Sequence, residues 1–219
     1  MLKIGHRGAK GHLLENTIPS FIKAVELGVD GIELDVHLSA DGVVVVLHDT
    51  SIDRTTAQKG LVKDLSVAQL QALGIPTLQE VFDLLPATVF VNIEIKAREA
   101  TEEVVALIAQ HRVLKGLPYG KFQISSFDWE VLKTAKTIDP KILLGVLTEK
   151  AIDEALVFAE QINAHSINPY YKLLTIENIA RVHQKGFKIY TWTVNSPEDL
   201  TFVQNLNVDG IISDFPDRL

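Results

Sequence analysis

Short runs of β-branched and other apolar residues alternate with stretches of helical periodicity along the whole chain. Such runs, bounded by glycine and polar residues, are typical of strands in a repeated strand–helix unit. The predicted strands are Leu2–His6, Gly31–Val36, Val89–Lys96, Phe122–Ser126, Ile142–Thr148, Ala164–Asn168, Lys188–Val194 and Gly210–Ser213. Val43–His48 is a further extended run, which either prolongs the second strand or pairs with it.

Helical stretches lie between these runs and carry their own start and stop signals. Asn16-Thr17 and Ser196 precede helical patterns and are typical N-caps, and Gly28 and Gly186 follow such patterns, where helices commonly end. The predicted helices are Pro19–Leu27, Thr101–Arg112, Ile152–Gln161, Ile176–Lys185 and one that starts at Pro197. Trp129 is expected to pack at the start of another helix.

Eight strand–helix alternations in one chain predict a parallel sheet. We predict that this sheet closes into a (β/α)8 barrel, because no Gly-x-Gly-x-x-Gly turn follows the first strand and would indicate an open dinucleotide-binding sheet. The segment at about 49–75 is longer than an ordinary connection and is predicted as an insertion after the second βα region. Residues 1–219 are therefore predicted to form a single domain.

Composition and charge exclude several classes of protein. The chain of 219 residues is 47% hydrophobic, enough for a large core, and it has no cysteine for disulfides, thiolate metal sites or a nucleophile. Apolar runs are too short to span a bilayer and no leader-like stretch follows Met1, so a cytoplasmic protein without stable membrane insertion is the simplest interpretation. The net charge is −7 without a basic cluster, which argues against a nucleic-acid partner.

Polar residues at the ends of the predicted strands are the candidates for chemistry, because barrel enzymes carry their sites at that edge. His6 and Arg7 end the first strand, and His48 ends the run that begins at Val43. Side chains alternate along a strand, so Glu33 and Asp35 share one face of the second predicted strand, as do Glu94 and Lys96 on the third.

Together these residue types indicate metal-assisted chemistry at an anionic ester. Three carboxylates on neighbouring strands form an oxygen-rich pocket that suits one hard divalent cation, Mg²⁺ or Ca²⁺. Two histidines at strand ends can exchange a proton near neutral pH. Arg7 and Lys96 are candidates for contacting phosphate oxygens, since an acidic protein needs a local cation to hold an anion.

Each of these residues also has a structural interpretation. A strand-end histidine is often structural, and Glu94 and Lys96 could simply pair with each other. We favour function because all of them fall at the ends of successive strands. Alternation puts His37 on the Glu33/Asp35 face, but a structural role is the favoured interpretation for it, and His111 and His183 are expected on helix surfaces. Trp192 near the end of the seventh strand could contact a substrate or pack in the core.

In these residues the chain resembles the glycerophosphodiester phosphodiesterase family. The segments that carry the resemblance span nearly the whole chain: HRG at 6–8, ENT at 15–17, IELDV at 32–36, DG at 41–42, VLHD at 46–49, RTT at 54–56, PTLQEV at 76–81, NIEIK at 92–96, TWTVN at 191–195 and DGIISDFP at 209–216. The resemblance implies a TIM barrel that hydrolyses small-molecule glycerophosphodiesters, such as glycerophosphocholine or glycerophosphoethanolamine, to glycerol 3-phosphate and an alcohol with a divalent cation.

The family's site residues carry over where the motifs match. The resemblance implies that Glu33, Asp35 and Glu94 bind the metal and that His6 and His48 are the general acid and base. It implies substrate or phosphate contacts for Arg7, Lys96 and Trp192, and a place at the edge of the site for Glu15. Leu14 stands where the family usually has proline, and the insertion is short for the family, which leaves the substrate preference open.

Three alternatives remain at this point, and the assembly state, including a homodimer, is open. A lysophospholipase D would use the same scaffold on a lysophospholipid. A barrel lyase would use Lys96 as a Schiff-base nucleophile, although the nearby carboxylates would keep that lysine protonated. A non-catalytic binding protein would lack one of the motif residues, and none is missing.

Overall fold

The structure is a computed structural model that describes residues 1–219. Its strands are β1 (Leu2–His6), β2 (Gly31–Leu38), β3 (Val44–Val46), β4 (Phe90–Ile95), β5 (Phe122–Ser126), β6 (Leu143–Thr148), β7 (Ser166–Pro169), β8 (Lys188–Thr191) and β9 (Gly210–Ser213). Its helices are α1 (Ile18–Glu26), α2 (Val67–Ala72), α3 (Leu78–Leu84), α4 (Thr101–Lys115), α5 (Trp129–Ile138), α6 (Ile152–Ile162), α7 (Ile176–Gln184) and α8 (Pro197–Gln204).

Eight of the nine strands form a closed parallel barrel. The hydrogen-bonded order runs from β1 through β9, β8, β7, β6, β5 and β4 to β2, and β2 pairs again with β1. Helices follow the strands on the outside, except after β9, where a single 3₁₀ turn at Pro216–Arg218 ends the chain. The predicted (β/α)8 TIM barrel is therefore confirmed, and each predicted strand lies within two or three residues of an observed one.

The main apolar core lies between the strands and the surrounding helices. Ile32, Leu34 and Val36 of β2 belong to this core and are fully buried, together with Phe21 and Ala24 of α1. The alternate residues of β2, including Glu33 and Asp35, point into the barrel instead. Because outer side chains are packed under helices and inner ones are enclosed by the strands, both faces of β2 are buried.

The connection between β2 and α3 departs from the regular repeat. β3 runs antiparallel to β2, with Val46 opposite Val36 and Val44 opposite Leu38, so the run beginning at Val43 pairs with the second strand. The insertion that follows contains α2, and it forms a small apolar cluster separate from the main core: Val45, Leu47, Ile52, Val62, Leu70 and Ile75. The insertion therefore has its own packing centre beside the barrel mouth.

Two features were not expected from the sequence. The first is a pair of short helices, α2 and α3, which follow the capping residues Ser66 and Thr77. The side chain of Ser66 accepts a hydrogen bond from the backbone N–H of Gln69, and that of Thr77 accepts one from the backbone N–H of Glu80. The expectation that His111 is exposed was wrong, because its side chain is only 5% exposed. Its ring packs 5.1 Å from that of Phe82 on the unpredicted helix α3 and 6.1 Å from that of Phe122 on β5, and these two neighbours cover it.

None of the eight helices combines the length and apolar character that a membrane crossing requires.

Inside the barrel, the region between β5 and β7 is filled by small and amide side chains. Gln123 on β5 donates to Ser166 on β7 across β6, and both are fully buried. This is sterically allowed because Gly145 on β6 has no side chain. A Cβ at Gly145 would lie 2.0 Å from Gln123 Nε2 and 2.9 Å from Asn168 Nδ2.

We expect Gly145→Ala to lower the free energy of unfolding by about 1–3 kcal/mol, because the buried amide network cannot accommodate a methyl group without shifting. Urea unfolding followed by circular dichroism would measure this. Gly120→Ala is the matched control, since a Cβ there meets no atom within 4 Å and the φ angle is not positive. Equal stability of the Gly145 variant and the wild type would contradict the described packing.

Candidate active site

The strand register places three carboxylates together inside the barrel. Asp35 of β2 lies directly beside Glu94 of β4, and Glu33 lies beside His6 of β1 on its other side. One oxygen from each of Glu33, Asp35 and Glu94 lies within 4.8 Å of the others. All three residues are buried. The alternation inferred from the sequence therefore brings these residues to one point at the mouth of the barrel.

Burial and mutual repulsion make this cluster electrostatically unfavourable without positive charge. Burial, together with the charges of Asp35 and Glu94, raises the pKa of Glu33 well above its usual range. The pKa of Glu94 is also raised, first by burial and then by the charge of Asp35. The pKa of Asp35 is lowered instead, because the charges of Lys96 and Arg7 outweigh the effect of burial.

The donor set fits a hard divalent cation. The three residues offer carboxylate oxygens only, which is the ligand type that Mg²⁺ and Ca²⁺ prefer. Asp35 Oδ1 is buried and accepts no hydrogen bond, although Lys96 Nζ lies 3.2 Å away. Asp35 Oδ2 accepts from Asn16 Nδ2 at 2.8 Å, which fixes the plane of the carboxylate and leaves Oδ1 available.

Arg7 reaches this cluster from a strained backbone conformation. Its φ is 50°, in the left-handed region that few residues other than glycine adopt. In this conformation its N–H donates to Glu33 Oε2 at 3.0 Å, while its guanidinium Nε lies 3.2 Å from Asp35 Oδ2. The guanidinium also donates to Glu15 at 2.6 Å. The tight turn after β1 thus brings a cation against two of the three carboxylates.

Each candidate histidine is oriented by a carboxylate. His6 Nδ1 lies 2.5 Å from Asp214 Oδ1, and Asn195 donates to the other oxygen of Asp214 at 2.8 Å. His48 Nδ1 lies 2.7 Å from Asp49 Oδ1. A carboxylate can only accept, so Nδ1–H is the donor in both pairs and Nε2 of each neutral ring is free to accept a proton.

The two rings reach the site by different routes. His6 ends a barrel strand, whereas His48 follows the antiparallel strand β3. The residue before His48 is held to β2, because the backbone N–H of Leu47 donates to the carbonyl of Asp35 at 3.0 Å.

Burial lowers the pKa of both histidines, more than their carboxylate partners raise it. Both imidazoles are thereby kept neutral near pH 7 in the absence of substrate.

Arg54 of the insertion connects the supports of these groups. Its guanidinium donates to both oxygens of Asp49 at 2.7 and 3.1 Å and to both oxygens of Glu15 at 2.7 and 3.0 Å. Glu15 is buried, but the hydrogen bonds from Arg54 and the charge of Arg7 outweigh burial and lower its pKa to about 2. Glu15 thus lies between the guanidinium groups of Arg7 and Arg54.

A small cavity of about 110 Å³ lies above the cluster. Seven of the predicted site residues line it: His6, Arg7, Glu33, His48, Glu94, Lys96 and Trp192. Asp35 lies beneath it and Glu15 behind it. Trp192 forms an edge contact with Phe127 at 5.4 Å between ring centroids and donates to the carbonyl of Asn168. Both rings line the cavity, and Lys96 Nζ lies 5.9 Å from the centroid of the Phe127 ring, so an aromatic wall adjoins the charged residues.

Several residues of this arrangement were not assigned roles from the sequence. Asp214 follows the last residue of β9, so the strand-end rule that identified His6 would also have identified it. Phe127 similarly follows β5 directly. No local signal indicates that Asn16 holds Asp35 or that Arg54 joins Glu15 to Asp49, because these pairs are distant in sequence. His37 is not in the cavity, although its Nε2 lies 3.1 Å from the carbonyl of His48.

Comparison with known proteins gives consistent matches. The model of the glycerophosphoryl diester phosphodiesterase family matches residues 6–218. A glycerophosphodiester phosphodiesterase of Caldanaerobacter subterraneus subsp. tengcongensis is 36% identical, covering 100% of this chain and 96% of that protein. One of Bacillus altitudinis is 35% identical, with the same two coverages.

Solved structures show the same barrel. The glycerophosphodiester phosphodiesterase of Thermotoga maritima is 31% identical and superposes with a TM-score of 0.87, covering 99% of this chain and 96% of that one. A phosphodiesterase of Oleispira antarctica, solved with the product sn-glycerol 3-phosphate, is 26% identical with a TM-score of 0.86, covering 98% and 93% of the two chains.

We expect Mg²⁺ or Ca²⁺ to raise the melting temperature, because a cation bound by the three carboxylates stabilises only the folded chain. At about 100 times the dissociation constant the gain is about 2.7 kcal/mol, or a rise of about 5–10 °C for a chain of this size. Differential scanning fluorimetry with and without the cation measures the rise.

Glu33→Gln and Glu94→Gln should largely remove the cation-dependent rise. The control is Glu103→Gln, an exposed acid on α4 that should leave it unchanged. An undiminished rise in both cluster variants would show that the cation binds elsewhere.

We expect Glu15 to contribute stability that depends on pH. Its pKa falls from 4.5 to about 2 on folding, so its contribution is complete above about pH 5 and is lost as the pH falls towards 2. The stability difference between wild type and Glu15→Gln should therefore be up to about 3 kcal/mol at pH 7 and shrink across this window.

Urea unfolding at a series of pH values measures this difference. Arg54→Met should show a dependence of the same sign, because it removes the guanidinium that lowers the Glu15 pKa. Glu102→Gln, an exposed acid on α4, should show no such dependence. A difference between wild type and Glu15→Gln that is constant from pH 7 to pH 2 would refute the proposed linkage.

Proposed function

Since this chain belongs to the glycerophosphoryl diester phosphodiesterase family, we propose that it hydrolyses glycerophosphodiesters to glycerol 3-phosphate and an alcohol. In this proposal His6 and His48 are the general acid and base, and the reaction uses one divalent cation, Mg²⁺ or Ca²⁺. One observation carries the proposal above all. Two imidazoles, each supported at Nδ1 by a carboxylate, line the same small cavity as Glu33 and Glu94.

The structure with sn-glycerol 3-phosphate from Oleispira antarctica supports the choice of product. The cavity of this chain is small and has charged residues on its floor and aromatic residues on one wall, which suits a phosphate attached to a three-carbon group. Glycerophosphocholine and glycerophosphoethanolamine are suitable first substrates, because both release the same product.

The two histidines divide the proton transfers between them. One neutral imidazole accepts a proton at Nε2 from the attacking group, water or the substrate's own glycerol hydroxyl, as its oxygen bonds to phosphorus. The other imidazole, which takes up a proton from solvent beforehand, gives it from Nε2 to the alkoxide as the P–O bond to the alcohol breaks. Asp214 and Asp49 stabilise the imidazolium form of their respective rings and hold the tautomer that exposes Nε2. Proton donation to the alkoxide matters because an unprotonated alkoxide leaves a phosphodiester slowly.

Arg7 and Lys96 would bind the phosphate. Both line the cavity, and both carry positive charge near the place where negative charge increases during the reaction. Burial disfavours the charge on Lys96, but Asp35, Glu94 and Glu33 outweigh it and hold its pKa above the usual value. A protonated lysine is a poor nucleophile, so this balance argues against the Schiff-base lyase and for a phosphate contact.

Glu33, Asp35 and Glu94 would hold the divalent cation, for which their donor atoms and burial are suited. When bound, the cation supplies Lewis-acid stabilisation of negative charge on the phosphate. Asn16 and Arg7 keep Asp35 and Glu33 in place through hydrogen bonds at 2.8 and 3.0 Å. Arg7 and Lys96 also reduce the repulsion among the carboxylates before a substrate binds.

The organisation of residues 1–219 as one domain, a cytoplasmic location and homodimer formation stay predictions that accompany this proposal. The family match over residues 6–218 supports the first of them.

We expect His6→Ala and His48→Ala each to lower kcat for glycerophosphocholine by about 10²–10⁴-fold, because each removes one proton transfer. Release of glycerol 3-phosphate, measured with a dehydrogenase-coupled assay in the presence of Mg²⁺ or Ca²⁺, gives the rate. The same assay after removal of metal by a chelator tests the requirement for a cation.

His183→Ala is the matched control. Its ring also pairs with a carboxylate, Asp209 at 2.9 Å, but at the opposite end of the barrel, so kcat should be unchanged. Near-normal turnover by the His6→Ala/His48→Ala double variant would refute the proposed roles. A lysophospholipid tested in parallel distinguishes the lysophospholipase D alternative, which requires that substrate to be hydrolysed faster.

A further inference from the structure

A second, larger cavity lies beside the catalytic one. It is a groove of about 640 Å³ between the end of β2, the insertion and the segment that follows β4. His37 and Ser39 line it from β2, Lys63 from the insertion, and Arg98 and Glu99 from the third side. Lys96 lines both this groove and the catalytic cavity, so the two spaces meet at that side chain.

A phosphodiester carries two substituents on one phosphorus. The catalytic cavity and the groove offer one space for each substituent, on either side of Lys96, the proposed phosphate contact. The catalytic cavity, about 110 Å³, has room for only a small substituent. The groove is several times larger and is the adjoining space for the other one. We propose that the groove binds the leaving alcohol of the substrate, and that Lys63 makes it select an alcohol that carries negative charge, such as a phosphorylated polyol, over a cationic one.

This inference rests on the proposed function and adds the substrate class to it. Three cations, Lys63, Lys96 and Arg98, line the groove together with one carboxylate, Glu99. Arg98 is already paired with Asp128, to which its Nε and Nη2 donate at 2.8 and 2.7 Å. Lys96 is held by Asp35 and Glu94. Lys63 forms no ion pair, so its charge remains available to an anionic group in the groove.

The remaining lining is partly apolar, with Leu38, Leu61, Val62 and Ala97, and partly polar. Thr50 brings a hydroxyl group to it, whereas His37 Nε2 pairs with the carbonyl of His48 and Ser39 Oγ donates to Asp41. No phenylalanine, tyrosine or tryptophan lines it. Quaternary ammonium groups such as choline are recognised by the faces of aromatic rings, which the groove does not offer.

The test compares kcat/KM for three diesters that share the glycerophosphate part: glycerophosphoinositol 4-phosphate, glycerophosphoglycerol and glycerophosphocholine. Wild type should favour them in that order, because the charge of the alcohol changes from negative through neutral to positive. Lys63→Glu reverses a unit charge close to the bound alcohol. We expect it to lower the ratio of the anionic to the cationic substrate by about tenfold, and the wild-type ratio to fall at high salt.

Lys59→Glu is the matched control, since it makes the same change of net charge on the same insertion but lines neither cavity. It should leave the ratio within about twofold of wild type, because Lys59 lies outside both cavities and charges separated by more than about 8–10 Å of solvent are largely screened. A wild-type preference for glycerophosphocholine, or an equal effect of the two lysine variants, would overturn the proposed role of the groove and leave the proposed hydrolysis standing. Hydrolysis of none of the three diesters would overturn the proposed function, and this inference with it.

Discussion

Three carboxylates that point into one barrel repel each other unless positive charge lies among them, and much of the mouth of this barrel is arranged around that requirement. Glu33, Asp35 and Glu94 are buried within 4.8 Å of one another. Arg7 and Lys96 offset part of the repulsion, but burial, and after it the charges of Asp35 and Glu94, still raise the pKa of Glu33 well above its usual range. A site that remains short of positive charge after folding is suited to bind a divalent cation.

The same requirement explains the otherwise unfavourable features around the cluster. Arg7 adopts a left-handed backbone conformation, with φ of 50°, that brings both its N–H and its guanidinium to the carboxylates. Strain of this kind persists only where the surroundings enforce it. Glu15 in turn needs cations on both sides, and Arg54 and Arg7 provide them. Negative and positive side chains therefore alternate from the carboxylate cluster through Arg7 and Glu15 to Arg54 in the insertion.

The sequence predicts those features of this site that depend on a few consecutive residues, and it does not predict those that depend on contacts between distant segments. The burial of both faces of β2 and the alternation of Glu33 and Asp35 are properties of a few consecutive residues, so the strand and its inward face could be predicted. The antiparallel pairing of β3 could be stated only as one of two options, since Val43–His48 has the same pattern in either case. The contacts from Asn16 to Asp35 and from Arg54 to Glu15 and Asp49 depend on packing between distant segments. His111 shows the same limit, because it is buried by Phe82 of α3 and Phe122 of β5, both distant from it in sequence.

The barrel and the insertion differ in how freely they can change. The cluster, Arg7 and His6 depend on the register of β1, β2 and β4, in which a shift of one residue would turn every side chain to the other face. The insertion packs around a separate apolar cluster, so its surface residues can vary without disturbing that register. It touches the catalytic groups through Asp49, which pairs with His48, and its Arg54 holds Asp49 and Glu15. It lines the adjoining groove through Lys63. A protein built in this way can retain one reaction at the strand ends while the insertion changes which alcohol is released.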